Sequence, residues 1–221
     1  MPSSIDGTRF EGNKKEDDKD ETERTKCFWL GEYREMKFIN TDDRIKAFNN
    51  FMGGQYGNDC IRNWLINNGF FTAPASTKYH GAYEGGLFDH SFTVAHTLVK
   101  LTERNYVVWE NDRSPYVVGM FHDLCKIDQY QEKKPGFDLE YEEPCYEYNT
   151  ETLLKGHGDK SVMLLSQFFH LTEEEILCIR YHMGAFTDKE EWSFYAKAVN
   201  KYPTVLWTHT ADMIAAHVLE V

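Results

Sequence analysis

Between Thr41 and Leu219, apolar residues recur three and four apart, and glycine or proline interrupts them at intervals. A helix has 3.6 residues per turn, so such residues share one face. The chain is therefore expected to be all-α. Thr41 is positioned to cap a first helix that carries Ile45, Phe48 and Met52 and ends at Gly53-Gly54. Asn58 caps a second, with Ile61, Trp64, Leu65 and Phe70 facing the core. Pro74 opens a short turn through His80. Gly85-Gly86 precedes a strong helix over 87–104, its buried face carrying His90, Val94, Thr97, Leu98 and Leu101. Ser114-Pro115 starts another, running through Val117, Val118 and Phe121 to Leu124. Further helices are expected over 157–169, over 172–183 behind the capping-box sequence Thr172-Glu173-Glu174-Glu175, and from Pro203 to about Leu219.

Two segments break the pattern. Residues 127–156 are acidic and aromatic, interrupted by Pro135-Gly136 and Pro144, and read as an irregular loop or hairpin insertion. Its aromatics Tyr130, Phe137, Tyr141, Tyr146 and Tyr148 suit either packing on the helices or stacking on a ligand. Residues 1–40 form a charged N-terminal extension with few apolar anchors, expected to be flexible. The folded domain is placed at 41–221.

The formal net charge is -12. Residues 1–26 contribute six basic and eight acidic side chains, so -10 belongs to the rest of the chain. Such acidity disfavours duplex DNA and long polyanions, whose phosphates need Lys and Arg. No run of about 18 apolar residues suggests a membrane span. The N-terminus lacks a signal-peptide core. Five cysteines without a CxxC pair fit free thiols in a reducing cytoplasm.

The histidines carry the functional signal. His90 lies in EGGLFDHS, His122-Asp123 in VVGMFHDLCK, His157 in KGHGDKSV, His182 in IRYHMG, and Asp212 in HTADMIAAH. Each alone fits a satisfied core residue. Together, several buried imidazoles and two carboxylates are costly unless something compensates them. A divalent cation accepts both donor types. On an ideal helix His122 and Asp123 point about 100° apart, so both reach one ion only if it sits between them.

These ordered segments, covering about residues 43–221, resemble the HD-domain metal-dependent phosphohydrolase superfamily. Within it they are similar to a bacterial and phage branch near the catalytic domain of the HD-type 3′–5′ exoribonuclease. The resemblance implies a compact helical bundle with a metal site between helices. It implies His90, His122, Asp123 and Asp212 as ligands of a first ion, and His157 and His182 as ligands of a second. Asp123 would bridge them. The cofactors implied are divalent ions, two of them, from among Mn, Fe, Mg, Co and Ni.

Two bridged cations lower the pKa of bound water and polarise a phosphoryl oxygen. Asp123 and Lys126 are thus the expected catalytic residues. Lys126 matches the lysine of the HDxxK form and is assigned to hold a substrate phosphate oxygen. Lys78, His80 and His209 are further candidate substrate contacts. Asp159 and Lys160 are expected to pair and orient His157. His96, His170 and His217 match no motif and are assigned structural or surface roles. The expected reaction is cleavage of a phosphomonoester or phosphodiester in a nucleotide or short oligonucleotide. The first 40 residues are too short and polar for a nucleic-acid-binding domain, which disfavours processive RNA degradation. Two alternatives share the ligand pattern: a dinuclear-iron oxygenase, and a non-catalytic nucleotide sensor. Substrate identity and oligomeric state are left open.

Overall fold

The computed structural model describes residues 38–133 and 145–221. Their helices are α1 (Thr41–Tyr56), α2 (Asp59–Asn67), α3 (Gly86–Glu103), α4 (Ser114–Phe121), α5 (Gly158–Leu165), α6 (Glu173–Arg180), α7 (Trp192–Lys201) and α8 (Thr204–His217). The expected all-α class holds. The insertion forms a small hairpin of β1 (Tyr130–Glu132) and β2 (Tyr146–Tyr148), antiparallel with Tyr130 opposite Tyr148. Phe137 and Tyr141 lie outside the described residues, as does the N-terminal extension through Lys37.

Helix α3 is the axis of the fold. It packs most extensively against α4 and α8 and also meets α1, while α6 joins α4, α5 and α8. Fourteen of its residues are buried, not the single stripe of a surface helix, because apolar side chains surround it on nearly every side. Its close approach to α4 rests on Gly119, where a Cβ would lie 2.3 Å from the Ala95 Cα. Phe48, Phe70, Phe71, Phe88 and Phe121 fill the adjoining core, largely edge to face.

Several boundaries differ from the sequence reading. Asn40, not Thr41, caps α1, accepting from the Asp43 N–H at 3.0 Å. Gly53 does not end α1 but kinks it, taking φ 57°, and the helix resumes to Tyr56. Helix α4 stops at Phe121, with Leu124–Asp128 forming a 3₁₀ turn. Helix α6 stops at Arg180, so His182 lies beyond it. Its capping box is present as expected, with Thr172 and Glu175 bonded reciprocally. Helix α7 was not anticipated; 184–202 offered no clear start signal.

A buried ion pair fixes α1 to α3. The Arg44 guanidinium donates to both Asp89 oxygens, at 2.7 and 3.1 Å, and the Tyr83 hydroxyl adds a third bond. Burial pushes the Asp89 carboxyl up, against the opposing pull of Arg44. This pair sits one residue before His90. Among the described residues no helix is long and apolar enough to cross a membrane, and Cys60, Cys125, Cys145 and Cys178 are free thiols.

Candidate metal centre

His90 comes from the first turns of α3, Asp212 from α8, His122 from the end of α4, His157 from the start of α5, and His182 from just past α6. Five elements thus converge. His122 and His182 arrive by the same device. The Nδ1–H of His122 donates to the Gly119 carbonyl at 2.8 Å, and that of His182 to the Ile179 carbonyl at 2.7 Å. Each acceptor is among the last carbonyls of its helix, which lack an intrahelical partner. His90 Nδ1 likewise meets the Val221 carbonyl at 2.9 Å.

These bonds set the tautomers. A carbonyl only accepts, so Nδ1 holds a proton, and Nε2 is the ring nitrogen left to face the cluster. Burial drives the His122 pKa down to about 3, keeping its ring neutral. Yet His90 Nε2 and His122 Nε2 lie 3.3 Å apart. Two lone pairs facing at that distance repel unless a proton or cation lies between them.

Asp123 occupies the centre because it leaves the helix. Its φ of -101° and ψ of 18° turn it off the α4 axis, so the ideal-helix separation of 100° does not apply. The Oδ2 atom faces His122 at 3.5 Å and His90 at 3.7 Å. The Oδ1 atom faces His157 at 2.9 Å and His182 at 3.3 Å. Asp212 Oδ1 completes the first side, 3.1 Å from His90 and 3.9 Å from His122. Each side offers donor atoms within 4.8 Å of one another: His90, His122 and Asp123 on one, Asp123, His157 and His182 on the other. His122, His182 and Asp212 form a third such group spanning the two.

Polar satisfaction supports a cation fit. Asp123 Oδ1, His157 Nε2 and His182 Nε2 are buried and lack a hydrogen-bond partner of acceptable geometry. Orphaned buried polar atoms are rare and costly. Three that converge, as two imidazole nitrogens and a carboxylate oxygen, match the donors a divalent ion takes. Burial opposes charge on Asp123, but Lys126, His122 and His157 outweigh it and hold the carboxyl well below its usual range. It is thus ionised and available.

The other predicted site residues separate into groups. Lys126 Nζ lies 2.7 Å from Asp123 Oδ2. Burial opposes its charge, but Asp123 reverses that and raises its pKa. His80 lies beside His90 with its ring tilted by 36°, ring centroids 5.2 Å apart, and burial with neighbouring charges lowers its pKa to about 4. Lys78 is exposed, and among the described residues no contact ties it to the cluster. His209 Nδ1 donates to the His182 carbonyl at 2.8 Å, positioning that segment. The expected Asp159–Lys160 pair does not form. Asp159 instead meets Arg180 at 2.6 Å, and Lys160 pairs with Asp128 across the 3₁₀ turn. Helix geometry explains this: adjacent residues diverge, so each finds a partner on another element. His217, read as structural, lines a groove with His80.

Several supporting groups had no sequence signal. Cys125 Sγ lies 3.2 Å from His157 Nδ1. Arg180 joins Asp159 on α5 to Glu191, linking the elements that carry His157 and His182. Only the capping carbonyls were approachable, since both sit three residues before a histidine.

No curated protein and no solved structure matches the chain. The family model described as HD domain matches residues 87–212, a span that runs from just before His90 to Asp212. The match is to the family rather than to a branch of it, and with the converging histidines and aspartates it places this chain in the HD-domain superfamily of metal-dependent phosphohydrolases.

Proposed function

We propose that the protein hydrolyses a phosphoester bond in a nucleotide or short oligonucleotide, using two divalent cations held on either side of Asp123. The observation that carries this reading is the carboxylate itself. One oxygen addresses His90 and His122, the other His157 and His182, and the latter side is left without hydrogen bonds. Bound ions would acidify water and polarise a phosphoryl oxygen.

The chain's own residues do the rest. His90, His122, Asp212 and Asp123 would hold one ion; Asp123, His157 and His182 would hold the other. The backbone carbonyls behind three of the histidines keep their Nε2 atoms aimed inward. Lys126, buried against Asp123, is a fixed positive charge within reach of a phosphate oxygen at the bridge. His80 flanks the His90 side.

The test is metal analysis of protein purified without chelators, paired with turnover on nucleotide and phosphodiester panels. Mn²⁺-loaded protein should work anaerobically, and Asp123→Ala should lose both metal and turnover. Full metal content with full activity in that variant would overturn the site assignment. Product formation that requires iron and dioxygen would overturn hydrolysis.

A further inference from the structure

Two grooves open beside the cluster, and their chemistry differs. Tyr79, His80, His217 and Glu220 line one, which therefore contains an acid. The other, about 340 Å³, begins at His157 and extends under the hairpin past Gln129, Tyr148, Asn149, Lys155 and Lys160. Among the described residues no Asp or Glu lines it, although the chain carries -12 overall. Lys160 is buried, its charge fixed against Asp128. Lys155 is exposed and its ammonium is paired with no described residue. Tyr148 leaves 64% of its surface in solvent while its partner ring Tyr130 is half-buried.

Tyr148 meets Tyr130 with ring centroids 5.2 Å apart, and the part of its ring left in solvent is open to stacking by a base. An unpaired lysine at the groove's rim, Lys155, on the way to a phosphate-directed centre, favours an anion. The volume falls in the range that encloses a small ligand, about 300–1,000 Å³.

We propose that this groove is the subsite for the non-reacting part of the substrate. It would take a nucleoside whose base stacks on Tyr148, carrying a further phosphate that meets Lys155. This rests on the hydrolase reading and deepens it: the favoured substrates carry at least two phosphates, as in a nucleoside bisphosphate or a dinucleotide. A lone phosphate would engage the cluster without the groove.

The experiment measures binding, not turnover. Metal-loaded protein is titrated calorimetrically with adenosine 3′,5′-bisphosphate and separately with inorganic phosphate. Tyr148→Ala should weaken the bisphosphate about tenfold, a typical loss for a base–aromatic stack. Tyr148→Phe should retain it, since the ring is kept. Lys155→Ala should weaken it several-fold, more so at low salt. Metal content and inorganic phosphate affinity should be unchanged in all three. Unaltered bisphosphate affinity in both alanine variants would overturn the subsite, as would equal weakening of inorganic phosphate. Failure of the hydrolase reading looks different: the wild-type protein would bind the bisphosphate through Tyr148 yet turn over no phosphoester.

Discussion

Gly158 offers a sharp test of how the second half of the centre is held. A Cβ at this position would lie 2.3 Å from the Arg180 carbonyl oxygen and 2.6 Å from its Cα. Both are backbone atoms, so no side chain can swing away. Cβ atoms essentially never approach within 3.0 Å, so Gly158→Ala must part α5 from α6 by about 0.7 Å. His157 is the residue before Gly158, and His182 lies two beyond Arg180. Metal–ligand distances tolerate only about ±0.2 Å. The variant should therefore bind one ion instead of two, because His90, His122 and Asp212 come from other elements. Stability gives a second readout with opposite signs for two explanations. Helix propensity alone favours Ala over Gly by up to about 1 kcal/mol. Overpacking costs about 1–3 kcal/mol, which for a domain this size lowers Tm by roughly 2–12 °C. Calorimetry on chelated protein isolates the packing effect, and elemental analysis counts the ions. Gly54→Ala is the control, since its Cβ would meet nothing within 4 Å, and it should be at least as stable as wild type. A Gly158→Ala protein with unchanged or raised Tm and two tightly bound ions would refute the reasoning.

Other outcomes follow from the same structure. His157→Ala should lower metal stoichiometry from about two toward one, read by elemental analysis. Chelation should lower Tm and added cation restore it, since a ligand at 100 times its Kd adds about 2.7 kcal/mol; a Tm indifferent to both would argue against any bound ion. Arg44→Met leaves the buried Asp89 without its cation and should cost about 3–5 kcal/mol in denaturant unfolding, largely recovered by adding Asp89→Leu. Thr172→Ala removes the capping box of α6 and should cost about 1 kcal/mol by the same assay.

What the sequence determined is local and periodic. Three-and-four spacing announced the α class, and Asn58, Pro115 and the Thr172 box marked helix starts because capping acts within a single turn. His90, His122, Asp123, His157, His182 and Asp212 were visible as polar residues embedded in apolar runs. Where the local signals were weak, so was the reading: α7 had no cap to announce it, and Gly53 looked like a stop but acts as a kink. Only the tertiary structure decided how the site is built. Asp123 faces histidines with both of its oxygens because α4 ends at Phe121, and no spacing rule states where a helix yields to the packing around it. The partners of Asp159, Lys160 and Arg180 were equally illegible, because the contacts join elements distant in the chain and depend on glycine-sized gaps at Gly119 and Gly158. The sequence thus named the clustered histidines and aspartates, while packing alone fixed which two sides of one carboxylate the histidines face.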